Sequence, residues 1–336
     1  MKKYWLGIES SCDETACAIV SPDLMVLANP LYSQIKEHNK FGGVVPEIAA
    51  RAHLEKINPI AQKAFEQAQI NPEQIQAIAY TCGPGLMGPL LVGASFAKGL
   101  AVDLGIPAYG INHLEGHLAA AHLSHPDLDA PYLSLTVSGG HTELVMVEPQ
   151  FKYSLIGRTR DDAAGEAFDK CGKLLGLDYP AGSQVSKLAA TGNRKFVRFP
   201  RAFHKQDHGE FSFSGLKTSV LRYTQTHSPE FIQENLNHIC ASLEEAIVSV
   251  LVEKSIWALK KTKAHTLVVG GGVSANGHLR TQLQKYCDKN QLRLAMPALE
   301  FCTDNGAMIA AAAILRQRQN LLPTLSKVSA WMPLAK

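Results

Sequence analysis

Val268-Val269-Gly270-Gly271-Gly272-Val273-Ser274-Ala275-Asn276 is the stretch on which the fold turns. An apolar run ends in three glycines, and Ser274 and Asn276 then open a helical pattern that continues to Lys289. Glycine lets a ligand come close to the backbone, and the helix that follows points its first N–H groups at it. Strand, glycine turn and helix in this order belong to α/β architecture, whose ligands lie beyond the carboxyl ends of strands. The run nearly fits the dinucleotide fingerprint G-x-G-x-x-A. The ribose acid expected about 20 residues later at a strand end is absent, because the next strand ends near Pro297. Nucleotide binding is expected and NAD is not.

The same alternation extends to both ends of the chain. Apolar runs over 4–9, 16–20 and 25–31 flank the polar turn Ser10-Ser11-Cys12-Asp13-Glu14-Thr15 and read as strands. Helical spacing covers 46–68, a buried strand 75–81, a second helix reaches about residue 103, and a third begins at His113. The pattern restarts at Tyr132: strand 132–137, the turn Ser138-Gly139-Gly140, and a hairpin partner over 143–148. That restart mirrors the opening and predicts two related halves. Helices are expected over 163–177, over 231–261 (long and amphipathic), and over 305–319, which is alanine-rich on every side.

The chain has 336 residues, more than one core usually accommodates, so two domains are expected. The turn-rich Ser124-His125-Pro126-Asp127 puts their boundary near residue 128. With 33 Lys+Arg against 30 Asp+Glu, charge alone does not mark a nucleic-acid protein. Any RNA contact has to be a local patch. The basic, aromatic-interleaved run Arg194-Lys195-Phe196-Val197-Arg198-Phe199-Pro200-Arg201-Ala202-Phe203-His204-Lys205 is one candidate, and solvated charge over core phenylalanines explains it as well. Seven scattered cysteines without a C-x-x-C pair indicate reduced thiols rather than disulfides or a zinc knuckle. The opening apolar run is too short for a signal-peptide core, and 85–97 is too short to span a bilayer. A cytoplasmic protein is expected, with no membrane partner.

Local chemistry is richest at His113-Leu114-Glu115-Gly116-His117. Imidazoles at i and i+4 share a helix face and can share a transition-metal ion, although two core-satisfied histidines would show the same spacing. The order is not H-E-x-x-H, and Glu115 falls about 200° round the helix from His113, so a peptidase base is missing from its place. Ser138-Gly139-Gly140 suits a phosphate cradle or an ordinary hairpin turn. In Asp161-Asp162-Ala163-Ala164-Gly165-Glu166-Ala167-Phe168-Asp169, the first two acids suit a helix cap. Asp169 needs another reason, such as a ribose hydroxyl.

Together these segments resemble one family, the tRNA adenosine threonylcarbamoyltransferases, once labelled O-sialoglycoprotein endopeptidases, and its bacterial branch in particular. The resemblance rests on Gly7-Ile8-Glu9-Ser10-Ser11-Cys12-Asp13-Glu14-Thr15, Gly42-Gly43-Val44-Val45-Pro46-Glu47, Phe211-Ser212-Phe213-Ser214-Gly215-Leu216-Lys217-Thr218, and residues 98–117, 137–142, 161–173, 270–276 and 300–306. These run in order across nearly the whole chain.

The resemblance implies a two-domain α/β fold of the actin-like, sugar-kinase-like (ASKHA) ATPase type. Residues 1–128 form the domain with the His pair, 129–303 the nucleotide-binding domain, and 304–336 a helix returning to the first. It implies one metal ion, usually iron(II) with zinc as the other candidate, on His113, His117 and Asp304. Substrate contacts carry over to Thr136, Val137, Ser138, Gly139, Gly140, Asp169, Gly182 and Asn276. Threonylcarbamoyl would pass from threonylcarbamoyl-AMP to N6 of the tRNA adenosine at position 37, beside the anticodon, in tRNAs reading codons that begin with A, and AMP would leave. Asp13 and Glu14 are the candidates for orienting or deprotonating that amine. The implied partners are tRNA, a degenerate paralogue forming a heterodimer, and a small ATPase. Two positions depart from the family pattern: Ser10 where Thr is common, and Pro180-Ala181-Gly182-Ser183 where Pro-Gly-Gly-Pro is common. Rival readings are a kinase or ATPase of the same fold with Asp13 on magnesium, a metallopeptidase, and a non-catalytic nucleotide-binding scaffold.

Overall fold

A computed structural model of the chain describes residues 3–323 and 327–334. The chain forms two compact units, Met1–Asp129 with Pro149–Lys152 and Pro297–Lys336, and Ala130–Glu148 with Tyr153–Met296.

The first unit runs β1 (Tyr4–Glu9), β2 (Glu14–Val20), β3 (Val26–Ala28), β4 (Leu31–Ser33), α1 (Ile35–Asn39), α2 (Pro46–Ala68), β5 (Ile75–Gly83), α3 (Met87–Leu104), β6 (Ala108–Asn112) and α4 (His113–Ser124). Its sheet has the order β3-β2-β1-β5-β6, with β4 beside β2. β1 pairs antiparallel with β2, Gly7 opposite Ala18, and parallel with β5, Leu6 opposite Ile78. Successive side chains face opposite ways along a strand, so the sheet has two cores. Leu6, Ile8, Ile19 and Ile78 pack with α2 and α3, whereas Trp5, Ala18, Ala77 and Ala79 pack with α4 and a late helix. Proline at the first turn of α2 and a left-handed Gly105 closing α3 set those helix ends. α3 is the one described helix long and apolar enough to cross a membrane (mean hydropathy 1.3), and its Leu90, Ala94, Ala97 and Ala101 are buried in this unit.

The second unit runs β7 (Tyr132–Val137), β8 (Thr142–Glu148), β9 (Lys152–Arg158), α5 (Ala164–Leu174), α6 (Gly182–Ala189), α7 (Ser214–Thr226), α8 (Pro229–Glu234), α9 (Leu236–Thr262), β10 (Thr266–Gly270), α10 (Gly277–Lys289) and β11 (Arg293–Ala295). Its sheet order, β11-β10-β7-β8-β9, repeats that of the first unit: a central strand, an antiparallel hairpin on one side and parallel strands on the other. The chain then reaches the late helix, α11 (Gly306–Arg318), in the first unit.

Several elements differ from the sequence expectation. The strand expected over 25–31 is two, because Pro30 has no N–H to give a ladder. The helix expected over 231–261 breaks at Asn235, whose Nδ2 donates to Phe231 O at 2.9 Å and competes with the helix bonds. Its long part, α9, is buried on most sides rather than amphipathic. A short 3₁₀ turn, Gly272–Ala275, precedes α10, and Asn276 caps that helix by accepting from Leu279 N–H at 2.9 Å. α1, β9, α6 and α7 have no counterpart in the sequence expectation, and α1 and α6 are only five and eight residues long.

α11 lies unusually close to its neighbours. A Cβ on Gly7 would stand 2.1 Å from Gly306 O, and one on Gly116 would stand 2.8 Å from Ile309 Cδ1. Gly7→Ala is therefore expected to overpack this contact. Melting in denaturant should show a loss of about 1–3 kcal/mol, with far-UV circular dichroism retained.

Candidate functional site

α4 begins at His113 because Asn112 caps it, its Oδ1 accepting from Leu114 N–H at 2.8 Å. α11 begins in the same way, with Asn305 Oδ1 accepting from Met308 N–H at 2.9 Å, so Asp304 sits just ahead of the helix. These two starts bring the ligand candidates together. His117 Nε2 lies 3.2 Å and His113 Nε2 3.6 Å from Asp304 Oδ1, and the three donor atoms are all within 4.8 Å of one another. Ligands about 2.1 Å from one ion stand about 3.0–3.5 Å apart, which suits these separations. Both ring nitrogens of His117 are buried without a hydrogen bond among the described residues, Nε2 meeting only the Asp304 carboxylate across 3.2 Å. A buried imidazole left so is costly unless a cation takes its lone pair. Two imidazoles and one carboxylate, without thiolate, suit iron(II) or zinc(II).

The sequence reading did not pick out Glu9 as a site residue. It is fully buried, and its Oε2 accepts from His113 Nδ1 at 3.0 Å and Thr81 Oγ1 at 2.6 Å, while Oε1 accepts from Ser11 N–H at 2.5 Å. The bond to Nδ1 fixes the tautomer and leaves Nε2 facing Asp304 and His117. Burial works against charge on Glu9, but the charge and hydrogen bond of His113 prevail and hold its carboxyl below the usual range. Burial likewise opposes the imidazolium of His113, and Asp304 and Glu9 outweigh it, raising this group to about 9. The only available signal was that Glu9 ends a strand beside the acidic turn.

Asp13 is buried and Glu14 half-buried on that turn. Burial, then Asp13 and Asp304, raise the Glu14 carboxyl well above its ordinary range. Burial beside Asp13 thus favours the neutral form of Glu14, and a cation nearby would work against that. His53 clamps the turn from α2: its Nε2 donates to Cys12 O at 3.0 Å, which leaves Nδ1 to accept from Thr15 Oγ1 at 2.7 Å. Glu115 faces Arg316 in a two-pronged pair (2.5 and 2.9 Å), which takes it out of any role as a peptidase base.

In the second unit the two glycine turns meet. Gly271, at φ +88°, sits so close to β7 that a Cβ would be 2.3 Å from Val137 O. Gly139 and Gly140 are exposed with open space around them, and Gly165, opening α5, donates its N–H to Ser138 O at 3.1 Å. Thr136 Oγ1 and Ser274 Oγ beside these turns are buried without hydrogen-bond partners among the described residues. Asp169 Oδ1 accepts from Ala181 and Gly182 N–H (2.8 and 3.1 Å), steadying the start of α6. Asn276 Nδ2 donates to Ser186 Oγ at 2.6 Å and Glu244 Oε1 at 2.8 Å. Asp161 does not cap its own helix. It caps α7 instead, accepting from Phe213 and Ser214 N–H at 2.7 and 3.2 Å, while Asp162 pairs with Lys170. In the basic run Arg194 pairs with Glu244 and Arg201 with Glu245 of α9.

Residues 25–311 match the family model described as tRNA N6-adenosine threonylcarbamoyltransferase. The chain belongs to that family. Curated relatives with this name include those of Clostridium perfringens, 47% identical over 93% of this chain and 92% of theirs, and Thermosipho africanus, 48% identical over 91% and 92%. The tRNA N6-adenosine threonylcarbamoyltransferase of Prosthecochloris aestuarii is 48% identical over 93% of both chains. The chain is accordingly an acyltransferase acting on tRNA. Among solved structures it is similar to component A of the Acidaminococcus fermentans (R)-2-hydroxyglutaryl-CoA dehydratase (TM-score 0.57, 16% identity, 95% of this chain and 99% of that one). It is also similar to T. kodakarensis HypF (TM-score 0.61, 12% identity, 94% of this chain and 47% of that one). The fold is the actin-like, sugar-kinase-like type.

Two outcomes test the centre. Glutamine cannot accept from His113, Thr81 and Ser11 together, so Glu9→Gln should lower metal affinity about 10- to 100-fold in competition with a chelator. Without metal, His113 keeps its proton up to about pH 9, so metal must displace it. Affinity should therefore rise with pH from neutrality and level off above about 9, read by titration calorimetry in buffers of different ionisation heat. For the metal-free fold the sign is opposite: a raised histidine stabilises fully below its ordinary 6.5, and that contribution fades as pH climbs through about 9.

Proposed function

We propose that threonylcarbamoyl-AMP is the donor, that adenosine 37 of tRNAs reading codons beginning with A is the acceptor, and that acyl transfer takes place at His113, His117 and Asp304. The observation that carries this reading is the convergence of those donor atoms, with His117 lacking any hydrogen bond. When bound, an iron(II) or zinc(II) ion supplies a Lewis acid for a carbonyl oxygen. Glu9 holds His113 in the tautomer that such an ion needs. The N6 amine attacks the donor's carbonyl carbon, the bond to the phosphate oxygen breaks, and AMP leaves with the electron pair. The proton lost by the amine goes to the Asp13–Glu14 pair, which His53 holds in place.

The second unit is assigned to the adenylate. Backbone N–H groups at the exposed Gly139 and Gly140 suit its phosphate, while Ser138, whose N–H closes the turn on His141 O at 2.8 Å, and the neighbouring Thr136 and Val137 line it. Asp169, Gly182 and Asn276 are assigned to the nucleoside, with Asp169 and Asn276 acting partly through the backbone that they brace. A paralogous subunit and a small ATPase are proposed as partners. Leu54 on α2 and Leu91 and Val102 on α3, exposed by 69%, 49% and 83%, offer the paralogue an apolar surface. A cytoplasmic location suits a tRNA substrate.

His117→Ala should lose bound metal, with circular dichroism unchanged, and should give no threonylcarbamoyladenosine when tRNA and adenylate are combined and the nucleosides are analysed by mass spectrometry. Full metal occupancy in this variant would move the site elsewhere. Asp169→Ala should weaken adenylate binding by roughly 10-fold or more in calorimetry, because a half-buried charged brace of the α6 start is lost.

A further inference from the structure

Trp331 leaves 78% of its surface exposed, although the backbone that carries it is held on both sides. Before it, Ser329 N–H donates to Cys82 O at 2.9 Å, and Ala330 O accepts from Gly85 N–H at 3.2 Å. After it, Met332 O accepts from Asn112 Nδ2 at 3.0 Å, and Met332 Sδ lies 3.8 Å from Cys82 Sγ. Val328 and Met332 pack into the core beneath α2 and α3. Ser329 Oγ closes the turn by donating to the carbonyl of Trp331 at 2.6 Å.

Both anchors lead to the same place. Asn112 is the cap of α4, and His113 is the next residue. Gly85 rests on Ser11, where an added Cβ would stand 2.6 Å from Ser11 O, and Ser11 Oγ is 3.2 Å from His113 Nδ1. The backbone of Trp331 therefore stands within a residue and a hydrogen bond of the cap of α4, on a segment that is held at both ends. An indole placed so is a ready contact, because covering it releases much water and orders little.

Charge indicates what covers it. The carboxylates of Glu9, Asp13 and Asp304 lie behind these anchors, which disfavours a phosphate and leaves the uncharged face of a base as the complementary surface. The substrate is a tRNA, and an amine inside a base stack is out of reach until its neighbours are held apart. We propose that Trp331 stacks on an unpaired tRNA base next to the adenosine that is modified, holding the loop open beside the N-terminus of α4. This rests on the reading that the reaction takes place at His113, His117 and Asp304.

The test uses the full chain and a synthetic, unmodified anticodon stem-loop. Trp331→Ala should raise the Kd for the stem-loop by about 5- to 150-fold, the range of one base–aromatic stack. Trp331→Phe should keep most of the affinity, and both variants should keep their metal, their adenylate affinity and their melting temperature. Stem-loop should also quench tryptophan fluorescence in the parent chain, and the quenching should vanish in Trp331→Phe. An unchanged Kd in Trp331→Ala, or fluorescence that ignores the stem-loop, overturns the proposal. So does a defect that appears only when a paralogous subunit is added, which would assign the indole to a protein partner. Full activity in His117→Ala would remove the reading of the centre without touching these stem-loop measurements, so the two failures are told apart.

Discussion

The convergence of His113, His117 and Asp304 depends on how closely α11 lies against β1 and β2. An added Cβ on Gly306 would stand 2.6 Å from Ala18 N, so backbone meets backbone with no room for side chains. This explains the alanine-rich character of α11, which is buried from Gly306 to Ile314. A helix wrapped in this way cannot slide without breaking many small contacts at once. Its first turn is therefore fixed, and Asp304 is delivered to His113 and His117 although far from them in sequence. The bridge between Arg316 and Glu115 ties the other end of the helix to α4.

Much of this was legible beforehand, and the reasons differ by residue. His113 and His117 were visible because the i, i+4 spacing is a local property that a helix converts directly into a shared face. The glycine turns were visible because glycine marks close approach. Asp304 came only from resemblance, since no periodicity links it to the histidines. Glu9 could not be singled out, because its role depends on meeting Thr81 and His113 across the sheet and helix. Asp161 shows the same limit: an acid before a helix reads as that helix's cap, and only tertiary structure sends it to α7.

The basic run divides between the two readings open to it. Arg194 and Arg201 pair with Glu244 and Glu245 on α9, and the backbone N–H of Lys205 donates to Glu253 at 2.5 Å. Lys254, fully buried, donates to Gln206 O at 2.9 Å and pins the loop again. Lys195 and Arg198 remain exposed. Glu244 also holds Asn276, so one carboxylate serves both the loop and the cap of α10. Sequence gives each charge a sign but not a partner.

The strand order of the two sheets is the same, and so is the position of the hairpin turn that follows each central strand. One turn, Ser10 to Glu14, carries acids, and the other, Ser138 to His141, carries bare backbone N–H groups at two glycines. A single architectural device has thus been given opposite polarities. On the proposed function the acidic copy disfavours phosphate and moves protons, whereas the glycine copy takes the phosphate and has no side chain at Gly139 or Gly140 to move anything. On that reading an anionic group is sorted by polarity between two look-alike turns before its shape is read at either.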